Sequence, residues 1–343
     1  MMKIGLVDCD KTNFPNLALM KISAWHKNNG DIVEWACPIC RYDRVYVSRV
    51  FGDEYTQEDM TAYQANEVYF GGSGYAIKVE NGKEVYHKEL DKDLPPEIEH
   101  IYPDYSLYPE LTKDTAFGFL TRGCPRACHF CIVSCKEGRA SRKVADLSEF
   151  WRGQKFIKLL DPNILACKEH LDLLKQLSDS GASVDFTQGI DARLITDKNI
   201  KALTAVRVSG MHFAFDYIEN EKAILKGLKI YSENVDIKKQ SDSHKAVYIL
   251  TNYNTTFEQD WYRVSKVREL GFAPYVMIYR KNTAPKITRY LQRWSNNRIL
   301  YNATDFMDFV PTSSGKPIKE LLKEYENGKD KDKPDYGVRQ GIL

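Results

Sequence analysis

The stretch TRGCPRACHFCIVSCKEG, residues 121–138, places four of the chain's eight cysteines within twelve residues. Cys124, Cys128 and Cys131 follow a C-x3-C-x2-C spacing, and Cys135 comes four residues later. In a reducing compartment, clustered cysteines favour metal or redox chemistry over structural disulfides. A zinc knuckle, a disulfide loop and a reactive thiol are the simpler explanations, and the rest of the sequence bears on each of them.

The composition is that of an ordinary globular protein, with 43% hydrophobic and 28% charged residues. The 49 basic and 47 acidic residues leave a net charge of +2, so no global charge indicates a nucleic-acid partner. The beginning, MMKIGLVDCDKTNFPN, lacks the apolar core of a signal peptide. No run reaches the roughly eighteen apolar residues of a membrane span. These features predict a cytoplasmic protein without a membrane partner.

The first hundred residues alternate short apolar runs with a helical pattern. The runs KIGLV, DIVEW, DRVYVS and NEVYFGG are predicted strands, and NFPNLALMKISAWHKNNG is a predicted helix capped by Asn13 or Asn16. This βαβ pattern predicts a small Rossmann-like parallel sheet over residues 1–79. The FGGSGY segment, residues 70–75, is predicted as a loop at a strand end, serving either as a tight turn or as a ligand loop. Residues 80–114, rich in proline, acid and tyrosine, are predicted as an extended linker.

From residue 115 onward, strands and amphipathic helices alternate regularly. Six strands are predicted, within the runs TAFGFL, KFIKLL, SVDFT, MHFAFDY, KAVYIL and PYVMIY. One helix between them carries Leu171, Leu174 and Leu177 and stops at Gly181. Six units are too few for a full eight-unit barrel, so the pattern predicts a partial (β/α)6 barrel over residues 115–305. A C-terminal helix and a polar tail are predicted over residues 306–343.

The cysteine-rich stretch follows the first strand of this array, at the carboxyl end where parallel barrels hold their chemistry. A structural zinc site needs four closed ligands, commonly two separated pairs, and no matching downstream pair exists here. His129 lies directly beside Cys128, a poor position for closing a tetrahedron. A cubane iron–sulfur cluster accepts three thiolates and leaves one iron open for a substrate or cofactor.

The loop resembles the cluster motif of the radical S-adenosylmethionine (SAM) enzymes, which have an aromatic residue before the last cysteine, here Phe130. The resemblance implies a 4Fe–4S cluster on Cys124, Cys128 and Cys131, with SAM chelating the fourth iron through its amino and carboxylate groups. It implies reductive cleavage of SAM to a 5′-deoxyadenosyl radical that abstracts hydrogen from an unidentified substrate. The electron would come from a one-electron reductant such as flavodoxin or ferredoxin.

The resemblance extends to DFTQGIDARL, residues 185–194, and to the leading Rossmann-like domain. Together these segments are similar to radical SAM enzymes that carry a cobalamin-binding-like domain in front. Two features of that group are missing. The D-x-H-x-x-G motif is replaced by DCDKTNFPNL, whose lack of histidine argues against cobalamin. The Gly-Gly-Glu segment that holds the SAM amino group is replaced by LLDPNILA, where Asp161 and Asn163 are the positional substitutes.

Other candidate SAM contacts follow from their positions. Phe130 is expected near the adenine, or packed within its loop. Gln188, Asp191 and Arg193 follow the third barrel strand and are candidates for the ribose hydroxyls and the carboxylate, Arg193 as a charge-assisted partner. Alternatively, Asp191 and Arg193 form a local ion pair.

The remaining cysteines leave alternatives open. Cys135 is either a hydrogen-atom donor to a substrate radical or an incidental neighbour of the cluster. Cys37 and Cys40 have a C-x-x-C spacing, with Cys9 as a possible neighbour, which suits a redox pair, half a zinc site or ordinary thiols.

These observations predict a radical SAM enzyme of unidentified substrate. One alternative is a cobalamin-dependent radical SAM methyltransferase that dispenses with the axial histidine. Another is a non-catalytic iron–sulfur or zinc protein, serving in binding or electron transfer. The polar residues that follow successive barrel strands argue against this second alternative.

Overall fold

The computed structural model describes residues 1–326 apart from five positions: Glu54, Glu58, Met60, Asn81 and Gly82. Residues 327–343, which hold the predicted polar tail, lie outside the described residues. Backbone contacts group the chain into two compact units. The first is Met1–Gln188 with Ala205–Val208, and the second is Gly189–Thr204 with Ser209–Leu343. The segment boundaries drawn from the sequence at residues 79, 114 and 305 stay predictions.

The first unit begins with a parallel sheet and one long helix. Their bounds are β1 (Lys3–Asp8), α1 (Leu17–Asn28), β2 (Ile32–Trp35), β3 (Arg41–Ser48) and β4 (Gln64–Gly71). The strand order is β2-β1-β3-β4, and each neighbouring pair is parallel. Ile4 and Leu6 of β1 pack against Leu19 of α1 and remove their apolar surface from water. The helix cap is Asn16, whose side-chain oxygen accepts a hydrogen bond from the N–H of Leu19 at 3.2 Å.

The segment predicted as an extended linker is instead folded into short elements. Within residues 80–114 these are β6 (Lys83–Tyr86), α3 (Pro96–Glu99) and α4 (Pro109–Thr112), and α2 (Ser73–Ala76) and β5 (Ile77–Glu80) come just before them. Strands β5 and β6 form an antiparallel hairpin. The Tyr105 hydroxyl donates to the carbonyl of Phe150 at 2.6 Å and accepts from the N–H of Phe117 at 3.2 Å. Contacts distant in sequence, which local patterns do not reveal, therefore hold this segment in place.

A second sheet follows, and its loops carry the cysteine-rich stretch. Its elements are β7 (Thr115–Gly118), β8 (Thr121–Arg122), α5 (Val133–Glu137), β9 (Arg142–Lys143), β10 (Phe156–Leu159), α6 (His170–Ser180), β11 (Ser183–Phe186), α7 (Ile200–Ala205) and β12 (Val208–Gly210). The order is β12-β11-β10-β7, and β10 is parallel to both β7 and β11. β8 and β9 form a separate antiparallel pair.

Helix α6 corrects one detail of the predicted core. The helix ends where expected, because Gly181 adopts the left-handed conformation with φ of +65°. Leu174 and Leu177 are buried as predicted, but Leu171 is 45% exposed. Leu173 is fully buried in its place, since Leu173, Leu174 and Leu177 form the buried face of the helix and Leu171 lies away from it.

The second unit contains a three-stranded parallel sheet with helices. Its elements are β13 (His212–Ala214), α8 (Glu221–Asn234), α9 (Asp242–Lys245), β14 (Ala246–Thr251), α10 (Phe257–Glu269), β15 (Ala273–Ile278), α11 (Lys286–Asn296), α12 (Arg298–Ala303) and α13 (Ile318–Glu326). The order is β13-β14-β15, with both pairs parallel. Parallel strands joined through helices confirm the predicted α/β class, and all six strands predicted after residue 115 are present. Their closure into a partial barrel stays a prediction.

Arg263 of α10 connects the carboxyl ends of two strands in the second unit. It is fully buried, and its guanidinium donates to three carbonyls at 2.7–2.9 Å, those of Phe215, Asp216 and Leu250. It also donates to the Asp260 carboxylate at 2.6 Å. Burial raises the pKa of Asp260 to about 6 although the guanidinium lies beside it. The side chain thus satisfies backbone carbonyls that the ends of β13 and β14 leave without a sheet partner.

Among the described residues, no helix has the length and apolar character needed to cross a bilayer.

Replacing Arg263 by methionine is expected to destabilise the protein by about 3–5 kcal/mol, because the substitution leaves the buried Asp260 without its partner. The free energy of unfolding would be measured in urea. The control is Lys266→Met on the same helix, where an exposed ion pair with Glu269 is lost. This control is expected to cost about 1 kcal/mol or less. Equal effects of the two substitutions would contradict the role assigned to Arg263.

Candidate functional site

The cysteine-rich stretch forms a loop whose two ends are held together. We define the cysteine loop as residues 123–141, between β8 and β9, which pair antiparallel with Thr121 opposite Lys143. Inside this pair, the N–H of Cys124 donates to the carbonyl of Gly138 at 3.1 Å. Gly123 has φ of +88°, and a Cβ atom there would lie 2.2 Å from the carbonyl oxygen of Ala140. Only glycine fits this close backbone contact.

Glu137 closes the same end of the loop with its side chain. One carboxylate oxygen accepts from the Arg122 guanidinium at 3.0 Å, and the other accepts from the N–H of Gly123 at 3.0 Å. The carbonyl of Glu137 accepts from Arg142 at 2.7 Å. Glu137 therefore holds the backbone directly before Cys124, through its carboxylate on Arg122 and Gly123 and through its carbonyl on Arg142.

Asp161, which follows β10, anchors the chain just before the cysteine loop. Its carboxylate accepts from the N–H of Leu120 at 2.8 Å, from the N–H of Thr121 at 2.6 Å and from the Thr121 hydroxyl at 2.5 Å. The residue is 4% exposed, and burial raises the pKa of its carboxyl to about 7, against the opposing effect of these donors. Asp161 was predicted as a partner of the SAM amino group, and the structure shows both of its oxygens engaged with the chain.

The three motif cysteines form no disulfide and occupy half-buried positions on the cysteine loop. The N–H of Cys131 donates to the carbonyl of Cys128 at 2.9 Å, which forms a tight turn between them. The Asn163 amide nitrogen lies 3.6 Å from the Cys124 sulfur and donates to it. Asn163 is buried, whereas Cys135 is exposed on α5.

The charge around the loop is strongly basic. Residues 121–143 contain one acidic residue, Glu137, and six basic ones: Arg122, Arg126, Lys136, Arg139, Arg142 and Lys143. Such a surplus of cations favours an anionic group at the loop, because the summed field attracts negative charge.

The donor set is of the type that an iron–sulfur cluster uses, since three cysteines outside any disulfide lie on one loop. Over the described positions, no three His, Cys, Asp or Glu side chains form a group that could hold a metal ion. A cubane binds each thiolate to a different iron, so its ligands need not meet at one point. The fit therefore rests on the type of the donors and on their spacing along the loop.

The other residues predicted to contact SAM lie in both units. Phe130 is half-buried on the cysteine loop, and Gln188 is exposed after β11, both in the first unit. Asp191 and Arg193 belong to the second unit, where the carboxylate and the guanidinium bind each other through two contacts at 2.7 and 3.0 Å. The local ion pair that the sequence left open is thus formed.

The glycines of FGGSGY allow their backbone to pack closely against the backbone that follows β3. A Cβ atom on Gly72 would lie 2.4 Å from the carbonyl oxygen of Arg49, and one on Gly74 would lie 2.3 Å from that of Phe51. The residue between them, Ser73, accepts a hydrogen bond from the Lys136 ammonium of α5 at 3.0 Å. Burial lowers the pKa of Lys136. The loop after β4 therefore contacts the helix that ends the cysteine motif.

Cys9 and Cys40 pack beside the apolar cluster around Val7 and Tyr42, and the N–H of Cys40 donates to the carbonyl of Cys37 at 3.0 Å. All three are free thiols. Their role as a redox pair or half a metal site stays a prediction.

In comparisons with known proteins, the chain matches no protein-family model and no curated protein. The resemblance to radical SAM enzymes therefore rests on the motifs themselves and on the loop that carries them.

The sequence did not reveal a cleft at the carboxyl end of β1, which is lined by Asp8, Trp35 and Tyr108. The available signal was an aspartate directly after a buried strand. The same signal, a polar residue after a strand, marks the candidates of the barrel segment.

Replacing Gly123 by alanine is expected to cost more stability than the same change at Gly153. Both glycines have positive φ, +88° and +98°, and an alanine there costs about 1–2 kcal/mol in backbone conformation. A Cβ on Gly153 has no neighbour within 4 Å, whereas one on Gly123 meets Ala140. Unfolding in urea measures both variants. Equal losses of stability in the two variants would show that the cysteine loop can open enough between residue 123 and Ala140 to accept the added methyl group.

The raised pKa of Asp161 predicts a pH dependence of stability. Below pH about 4 the carboxyl is protonated in both states. Between about 4 and 7 only the folded state keeps the proton, so the free energy of unfolding decreases as pH rises, by at most about 1.4 kcal/mol per unit. The stabilisation is lost above pH about 7. Urea unfolding from pH 5 to 8 should show this slope in the wild type and a smaller slope in Asp161→Asn, because Asp260, with its pKa raised to about 6, still contributes at the lower end.

Asp146→Asn is the control for the Asp161 experiment. Its hydrogen bond with Lys143 lowers the pKa of Asp146, so this carboxylate stays ionised between pH 5 and 8. The Asp146→Asn variant should keep the wild-type slope. A slope that is as steep in Asp161→Asn as in the wild type would assign the proton to another group.

Proposed function

We propose that this chain is a radical SAM enzyme that binds a 4Fe–4S cluster through Cys124, Cys128 and Cys131. The observation that carries the proposal is the cysteine loop, in which three cysteines outside any disulfide follow a parallel strand and hydrogen bonds hold the two loop ends together. Its spacing and its basic surroundings suit an anionic cluster with one open iron. When bound, the cluster would supply the electron that cleaves SAM to methionine and a 5′-deoxyadenosyl radical.

The chain's own residues would position this chemistry. Asp161 and Glu137 fix the backbone immediately before Cys124, so that the first ligand is presented from a rigid point. Asn163 donates to the Cys124 sulfur, and a hydrogen bond to a cluster ligand tunes its reduction potential. The loop after β4 contacts the carboxyl-terminal part of the cysteine loop, where the Lys136 ammonium donates to the Ser73 hydroxyl.

For SAM, we assign the amino group to Asp161 or Asn163, the two positional substitutes; Asp161 also holds Leu120 and Thr121 through its two oxygens. Phe130 is assigned to the adenine. Gln188 and Asp191 are assigned to the ribose hydroxyls and Arg193 to the carboxylate. The guanidinium has five N–H donors, and two of them bind Asp191, which orients the group.

The fold assignment that accompanies this function is a partial (β/α)6 barrel. The strand orders β7-β10-β11-β12 and β13-β14-β15 follow the chain order that such a barrel requires. The leading sheet is assigned as Rossmann-like and related to cobalamin-binding domains, without cobalamin. An oxygen-sensitive cluster suits the reducing cytoplasm, where a flavodoxin or ferredoxin would supply electrons.

The test is anaerobic reconstitution with iron and sulfide, followed by reduction with dithionite in the presence of SAM. The wild type is expected to bind about four irons per chain and to produce 5′-deoxyadenosine. A variant with Cys124, Cys128 and Cys131 all changed to alanine should do neither. Iron analysis, EPR spectroscopy and chromatography are the measurements.

Cys135→Ala is the matched control, since this thiol is exposed on the same stretch and outside the motif. It should retain the iron and the cleavage of SAM. Bound zinc, or a cluster that never cleaves SAM, would overturn the proposal and favour an electron-transfer or binding protein. A cobalamin absorbance spectrum after incubation with cobalamin would favour the methyltransferase.

A further inference from the structure

A cleft of about 720 Å³ lies in the first unit at the carboxyl ends of β1 and β2. This volume is within the range of small-molecule sites. In the order β2-β1-β3-β4, the strands that follow β1 in the chain lie on opposite sides of it. In open parallel sheets, ligands bind outside the carboxyl ends of the strands at such a switch point. The place and the size both indicate a binding site, distinct from the cysteine loop.

Two carboxylates line the cleft, and each is held by its neighbours. Asp8 accepts from the Tyr108 hydroxyl at 2.7 Å and from the N–H of Asp10 at 3.2 Å. Asp59 accepts from the Tyr63 hydroxyl at 2.7 Å and from the N–H of Thr61 at 2.9 Å. Because a carboxylate oxygen accepts more than one hydrogen bond, both groups retain capacity for ligand donors.

The charge of the cleft selects against phosphate. Its charged lining residues are Asp8, Asp59 and Lys11, which sum to a net charge of −1. The loop after β1 reads DCDKTNFPN and contains no glycine, unlike the Gly-rich turns that hold dinucleotide phosphates. A ligand that offers hydroxyl or amino donors fits this lining better than an anion does.

An aromatic side chain gives the cleft a flat apolar surface. Trp35 lines the cleft, is 43% exposed and contacts Tyr108 edge to face, with ring centroids 5.2 Å apart. This arrangement holds the indole while leaving part of it open. An indole of this kind is a stacking surface for a planar ring.

We propose that this cleft binds a nucleoside, with its base stacked on Trp35 and its ribose hydroxyls donating to the cleft carboxylates, Asp8 foremost. A nucleoside combines the planar ring, the vicinal hydroxyl donors and the lack of charge that this lining accepts. The site is built by residues of the first sheet and of the segment that carries Tyr108. It does not require the cluster.

The first experiment uses the metal-free, full-length wild type under reducing conditions, so that failure of the cluster proposal does not affect it. Adenosine, guanosine, cytidine and uridine are titrated by calorimetry. At least one should bind saturably, and its 2′-deoxy and 3′-phosphate forms should bind at least about tenfold more weakly, because they lose a donor or add charge. Binding of none of the four, or equal binding of the 3′-phosphate, would overturn the proposal.

Variants then assign the site. Asp8→Asn and Trp35→Leu should each weaken binding by about tenfold or more. The controls are Glu67→Gln and Tyr69→Leu, both on β4 outside the cleft, and Tyr69 has the same 43% exposure as Trp35. The controls should bind as the wild type does. Unchanged affinity in Asp8→Asn and Trp35→Leu would place any observed binding elsewhere.

Discussion

The cysteine loop depends on one buried carboxylate. Asp161 accepts hydrogen bonds from two backbone N–H groups and one hydroxyl at the point where the chain leaves β7. Without it, these donors would be buried with no acceptor, at a cost of about 1–3 kcal/mol for each group. Asp161 thereby fixes the start of the cysteine loop. This fixed start sets the position of Gly123, the contact between its N–H and Glu137, and the position of Cys124.

In the second unit, a buried side chain of opposite charge satisfies backbone polar groups in the same way. Arg263 donates to carbonyls at the ends of β13 and β14, as Asp161 accepts from N–H groups beside β10. Parallel strands end in loops whose backbone polar groups lack sheet partners, and a buried ion or hydrogen-bonding side chain satisfies them. Polar residues after strands therefore serve the fold as well as ligands. This dual use explains why Asp161, predicted from its position to bind SAM, makes its contacts within the chain.

Two candidate sites of opposite character lie within the first unit. The cysteine loop is surrounded by six basic residues and one acidic residue, which suits an anionic cluster. The cleft at the end of β1 carries net negative charge and an exposed indole, which suits an uncharged ligand rich in hydroxyl groups. This electrostatic contrast makes it difficult for either site to take the other's ligand.

The sequence by itself determined the ten strands predicted from its apolar runs, their order along the chain and the spacing of the three thiols. These are local properties: apolar periodicity sets each element, and covalent spacing sets the motif. Only the tertiary structure decided which polar groups meet. Asp161 binds Thr121 across 40 residues, and Tyr108 binds Asp8 across 100. Even for the neighbouring residues Asp191 and Arg193, the sequence leaves open whether they form a local ion pair or contact a ligand. The structure shows the ion pair. The physical reason is that a hydrogen bond needs its two partners within about 3 Å. The folding of distant segments sets that proximity, and no local pattern encodes it.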